Sequence, residues 1–100
     1  MGKDYAARKW VTAAELLTTQ PCELLYAQAV SDGGQIKDTI VYDGENTTGE
    51  LLINLQIGTK GNVTFSPKEP VKCQRGLYVA IGSSTEGVFV MWRNLPRKPE

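Results

Sequence analysis

From residue 22 onward the apolar and polar positions alternate in short runs separated by turn residues, the pattern of β-strands rather than helices. Cys22 to Val30 is an apolar run closed by Ser31-Asp32-Gly33-Gly34. Ile36 to Tyr42 reads as the next strand, with Ile36, Ile40 and Tyr42 on one face, and Asp43-Gly44 ends it. Leu51 to Ile57 gives the most regular alternation, with Leu51, Ile53, Leu55 and Ile57 expected inward and Leu52, Asn54 and Gln56 outward. Gly58-Thr59-Lys60-Gly61 turns the chain into Asn62 to Phe65, where Val63 and Phe65 point the same way. Pro67 and Pro70 bracket an irregular crossing, because proline cannot donate to a central ladder. Val71 to Cys73 reads as a short edge segment, Leu77 to Ile81 as a strand with Leu77, Val79 and Ile81 inward, and Val88 to Trp92 as the last strand.

Ala6 to Thr19 supports two readings. Thr12-Ala13-Ala14-Glu15 fits a capping box and Ala-Ala-Glu-Leu-Leu is good helix sequence. Trp10-Val11-Thr12 and Thr18-Thr19 favour extended structure, and Pro21 ends whichever element forms. The balance favours a strand or a short strand pair. Turn signals every eight to twelve residues then predict an all-β fold, a single antiparallel β-sandwich or jelly-roll-like barrel of about seven to eight strands. The expected layout is an N-terminal arm over residues 1–9, a sandwich domain over 10–93 and a C-terminal tail over 94–100.

Composition narrows the chemistry. The chain of 100 residues has no histidine and two cysteines. It therefore lacks Ser-His and Cys-His nucleophile pairs, an imidazole acid or base, and His-ligated zinc. A chain of this size buries only roughly 60 to 70% of the surface its unfolded form exposes, leaving little volume for a deep active site. No enzymatic activity, metal or cofactor is expected. No apolar run approaches the roughly 18 residues of a membrane span, and no signal-peptide core follows Met1, so synthesis in a reducing cytoplasm is expected. Cys22 and Cys73 are then expected as two buried thiols; oxidised, they would close a loop worth roughly 4 kcal/mol in the chain-entropy model. Asp43 and Glu45 offer carboxylates beside a glycine, more often a turn than a calcium site.

The formal net charge of zero is an average over unlike parts. Residues 1–10 carry +2, residues 93–100 carry +2, and residues 11–92 carry −4. The basic ends, with Lys3, Arg8, Lys9, Arg93, Arg97 and Lys98, are either solvated tails or arms that grip an acidic neighbour. The body offers no basic face for specific nucleic-acid binding. In the last strands both faces are apolar: Phe89 and Met91 alternate with Val88, Val90 and Trp92, and Tyr78 opposes Leu77 and Val79. Tyr78, Phe89 and Met91 are thus candidates for a subunit or partner interface, the other possibility being cover by a loop or the N-terminal arm.

Taken in order, Cys22-Glu23-Leu24-Leu25-Tyr26-Ala27, Ile40-Val41-Tyr42-Asp43-Gly44, Phe65-Ser66-Pro67, Arg75-Gly76-Leu77-Tyr78-Val79 and Val88-Phe89-Val90-Met91-Trp92 resemble the strand text of small structural proteins of tailed bacteriophages. These are single β-sandwich domains used as capsid decoration (cement) proteins or as neck and tail accessory proteins. The likeness spans about residues 10 to 93 and rests on strand and turn patterns; the N-terminal stretch departs from it. The resemblance implies a homotrimer on the capsid surface of a virion, made in a bacterial cytoplasm, that bridges major capsid protein subunits. On that footing Tyr78, Phe89 and Met91 pack between protomers and the basic arms lie across acidic coat protein. The competing expectation is a ligand- or glycan-binding module of a neck, tail or host-attachment structure; a small hydrolase is the weakest.

Overall fold

A computed structural model describes residues 7–56 and 61–95. Among the described residues there are nine strands and no helix: β1 (Ala7–Val11), β2 (Glu15–Thr18), β3 (Cys22–Ser31), β4 (Ile40–Asp43), β5 (Glu50–Asn54), β6 (Asn62–Phe65), β7 (Val71–Cys73), β8 (Leu77–Ala80) and β9 (Thr85–Asn94). They form two packed sheets with every ladder antiparallel, so the chain is the expected all-β sandwich, with one strand more than the seven or eight anticipated. The additional strand comes from the ambiguous N-terminal stretch, which supplies both β1 and β2. Helix propensity in Thr12 to Leu17 loses to tertiary pairing: Val11 is fully buried opposite Val88, and Leu17 packs on the core.

The five-stranded sheet runs β1-β9-β3-β6, with β7 also paired to β3. Its axis is the pair β3 and β9, each ten residues long. β6 and β7 share one side of β3, β6 along Ala27–Val30 and β7 along Cys22–Leu24. Pro67 and Pro70 fall in the break between them, where no ladder donor is needed. The four-stranded sheet runs β2-β8-β4-β5. The core between the sheets takes alternate residues of each strand, among them Leu24, Ala27, Ala29, Val88 and Val90 from one sheet and Val41, Leu77 and Val79 from the other. At roughly 1.5–3 kcal/mol for each fully buried Val or Leu, this layer is the main source of stability.

Among the described residues the ladders shift register at four places, one of them at Val30/Ser31, where Glu86 of β9 is the extra residue, and the other three at pairs of adjacent leucines. The register shifts at Leu16/Thr18, at Leu24/Tyr26 and opposite Val41/Tyr42, leaving Leu17, Leu25 and Leu52 as the extra residue of a bulge. Leu51 is consequently turned outward and 51% exposed, against the expectation that it faces inward, while Leu52 and Ile53 pack on the core. Ile57 lies outside the described residues.

The expected strand Ile36 to Tyr42 is also broken. Asp38 has a φ of 61°, the left-handed region, and Ile36 sits before that kink in an irregular segment whose Lys37 bridges to Ser83. Ile36 is buried in the core, whereas Ile40 and Tyr42 face away from it and Val41 faces in. Three residues, Ile36, Ile40 and Tyr42, therefore do not share a face.

The sheet is longer than the domain expected for 10–93. Residues 7–9, read from sequence as part of an arm, belong to β1, and Asn94, read as tail, ends β9. Ala7 lies opposite Trp92 and packs on the core, which gives this part of the chain a reason to pair rather than trail in solvent.

Candidate interaction surface

The candidate interface residues divide between the two outer faces of the sandwich. Consecutive strands β8 and β9 belong to different sheets, so Tyr78 lies on the outside of the four-stranded sheet and Phe89 and Met91 on the outside of the five-stranded one. The structure thus brings Phe89 and Met91 together and places Tyr78 on the opposite side of the molecule. A single patch containing all three does not exist.

On the four-stranded sheet the register aligns Leu16, Tyr78, Tyr42 and Leu51 as directly facing neighbours across all four strands. The two tyrosine rings sit 6.4 Å apart at 50° in the middle. The leucines at the two ends are exposed, 37% for Leu16 and 51% for Leu51. The next row is Ala80, Ile40 and Asn54. No charged residue interrupts the first row, and its two outer leucines are supplied by the bulged doublets of β2 and β5. The sequence signal for this row was the Leu-Leu doublet; alternation read Leu51 as inward and Leu52 as outward, the reverse of their placement.

The outer face of the five-stranded sheet is mixed. One row holds Trp10, Phe89, Gln28 and Thr64, and the next holds Arg8, Met91 and Tyr26. Tyr26 and Phe89 meet edge to face, with ring centroids 6.1 Å apart. Gln28 donates to Thr64 Oγ1 at 3.2 Å. Trp10 is exposed and its ring lies over Gly87, where an added Cβ would fall 2.3 Å from the indole. Phe89 and Met91 are half-buried, so neighbouring side chains cover them only in part.

Of the basic residues assigned to arms, Lys3, Arg97 and Lys98 lie outside the described residues. Lys9 and Arg93 are engaged within the chain rather than offered to a neighbour. Lys9 pairs with Glu15, linking the edge strands β1 and β2 across the open side of the sandwich. Arg93 donates from Nη2 and Nε to Glu23 Oε1 at 2.8 and 3.3 Å, across the β3–β9 ladder. Arg8 is exposed beside Met91 and makes no salt bridge among the described residues.

Two polar hollows lie at one end of the four-stranded sheet. One, of about 320 Å³, is lined by Asp43, Glu50, Lys72, Gln74 and Arg75; the other, of about 350 Å³, by Gly44, Glu45, Asn46, Thr48, Gly49 and Arg75. Neither has an aromatic wall for a sugar ring. Asp43 is buried, and its carboxylate accepts the backbone N–H of Gln74 at 3.1 and 3.0 Å and that of Arg75 at 2.9 Å. Its oxygens therefore hold the turn after β7. Glu45 is exposed in the adjoining loop and does not join it in a cluster. Among the described residues no group of three or more His, Cys, Asp or Glu side chains is placed to hold a metal. No helix among them is long and apolar enough to cross a membrane.

No protein-family model matches the chain, and neither the curated proteins nor the solved structures contain a significant match to it.

Proposed function

We propose that this chain is a non-enzymatic structural protein that joins neighbouring subunits of a larger assembly through the two outer faces of its sandwich. The carrying observation is the unbroken apolar row Leu16–Tyr78–Tyr42–Leu51 across the four-stranded sheet, set against a second, mixed aromatic face on the opposite side. An apolar row on one side and a mixed aromatic face on the other suit a protein that sits between two unlike neighbours, and exposed apolar patches mark association sites. The apolar row is the self-association face, and the mixed face, with Trp10 and Arg8, is the face for the larger partner.

The assembly that fits this design is the shell of a tailed bacteriophage, with the chain as a homotrimeric decoration protein bridging major capsid protein subunits on the virion surface. Many weak contacts repeated over a lattice hold a shell that no single contact could. Support for this specific role comes from the strand-text resemblance and from the two-sided surface.

Size-exclusion chromatography with light scattering tests the general reading, and co-sedimentation with purified undecorated phage capsids tests the specific one. A stable trimer that sediments with capsids is the expected result. A protein that stays monomeric at all attainable concentrations and binds sugars saturably overturns it in favour of a ligand- or glycan-binding module.

A further inference from the structure

We propose that Cys22 and Cys73 are an oxidisable thiol pair, and that a cross-strand disulfide between them locks β7 onto β3. The two residues are 51 positions apart in sequence yet directly opposite one another in the antiparallel β3–β7 ladder. Directly opposed residues in such a ladder have Cα atoms about 4.5 or about 5.5 Å apart, and both spacings lie within the range that disulfides span. Both side chains point into the core, both are buried, and both are free thiols. Bond formation therefore asks for rotation of two small side chains and no relocation of either strand.

β7 is the element that such a bond would secure. It has three residues and, among the described strands, pairs with β3 alone. Pro70 precedes it, and the turn after it is held by the Asp43 carboxylate through the Gln74 and Arg75 amides. Val71, its first residue, faces Leu24. Short strands with one partner open locally far more readily than the long β3–β9 pair, and that opening admits a small oxidant to thiols that are otherwise shielded.

The chemistry is thiol–disulfide exchange with a low-molecular-weight disulfide. The Cys73 thiolate attacks one sulfur of the oxidant, forming a mixed disulfide and expelling one thiolate. The Cys22 thiol loses its proton and attacks the Cys73 sulfur, forming the Cys22–Cys73 bond and expelling the second thiolate. Two protein thiols and one small disulfide become one protein disulfide and two small thiols. Cys73 attacks first because it sits on the short β7, the element that opens, and the surroundings point the same way. A hydrogen bond from the Cys22 thiol, with the Leu24 backbone in support, lowers the Cys73 pKa, while that same bond and burial raise the pKa of Cys22. In its thiol form Cys73 donates to the Val71 carbonyl at 3.6 Å. This inference is independent of the assembly role and holds for the isolated chain.

The test is to incubate the reduced, full-length protein with glutathione disulfide under native conditions. Thiols are counted after denaturation, the bond is mapped by non-reducing trypsin digestion, and melting is followed by circular dichroism. Trypsin releases Cys73-Gln74-Arg75 as a tripeptide, so the cross-link carries a distinctive mass. The expected result is a fall from two thiols to none, the tripeptide joined to the peptide containing Cys22, and a melting temperature higher by roughly 10 °C that returns on reduction. Persistence of both thiols, glutathione adducts alone, interchain dimers, or a disulfide that leaves melting unchanged would each overturn the proposal. Cys22→Ala and Cys73→Ala should each abolish the oxidation-dependent shift, and a shift that survives in either also overturns it. The wild-type measurement stands alone should either variant fold poorly.

Discussion

The two sheets of this sandwich are built in different ways. The five-stranded sheet is organised around two ten-residue strands that pair along nearly their whole length, so its stability is spread over many ladder bonds and a continuous inner face. The four-stranded sheet has strands of only four or five residues, and its central β4 is secured at both ends by buried polar groups. At the start, Thr39 is fully buried; its hydroxyl accepts the Gly82 N–H at 3.0 Å and shares a hydrogen bond with the Thr85 hydroxyl at 2.6 Å. At the end, Asp43 holds the Gln74 and Arg75 amides. The difference teaches that a short-stranded sheet can present a flat apolar face outward only if its ends are fastened by something other than strand length.

The sharpest way to break that contrast is to cut the fastenings. Asp43→Ala removes an ionised acceptor from two backbone donors and should cost about 2–3 kcal/mol in urea unfolding. Thr39→Val, which keeps shape and loses the hydroxyl, should cost about 1–2 kcal/mol. Costs near zero for both would show that the four-stranded sheet does not depend on them. Gly82 belongs to the same junction: a Cβ there would fall 1.8 Å from the Lys37 carbonyl oxygen, so the backbone crossing requires glycine.

A smaller effect, but the one that separates the outer faces, comes from adding charge. Leu16→Glu with Leu51→Glu places carboxylates at both ends of the apolar row, at exposed positions where stability should change by less than about 0.5 kcal/mol each. Self-association should weaken by at least about tenfold, read by light scattering or analytical ultracentrifugation. Trp10→Glu on the mixed face should leave self-association unchanged. If Trp10→Glu instead dissociates the oligomer and the leucine variant does not, the roles of the two faces are reversed.

The smallest effects belong to the ion pairs. Lys9→Gln should cost well under 1 kcal/mol, because its pair with Glu15 is exposed and screened. Arg93→Gln should cost somewhat more, about 1 kcal/mol, since two guanidinium nitrogens reach a mostly buried Glu23. Equal and large losses would mean that the pairs, and not the ladders, hold the five-stranded sheet.

The sandwich was legible from turn residues and period-two patterning, because both are local. The inward positions of Val79, Val88 and Val90 follow from the same alternation. What alternation could not reveal is where it stops. The bulges at the three leucine doublets and the left-handed Asp38 each switch the face on which alternation runs, so Leu51 turns outward and Ile36 parts from Ile40 and Tyr42. A doublet of large apolar residues inside an alternating run is itself a bulge signal. The separation of Tyr78 from Phe89 depends on which sheet each strand joins, a property of topology that no short window contains. Asp43 looked like a turn carboxylate; that it reaches a loop more than thirty residues later is again long-range information.

The chain's two tryptophans end in opposite environments. Trp10 lies exposed on the floor made by Gly87, whereas Trp92 is buried in the core with an indole N–H that meets no acceptor among the described residues. Each face of the problem thus has its own optical reporter. Buried Trp92 should emit blue-shifted light that follows global unfolding, while exposed Trp10 should be open to collisional quenchers and follow anything that covers the five-stranded face. Single Trp→Phe variants therefore let folding and partner docking be watched separately in one unlabelled protein.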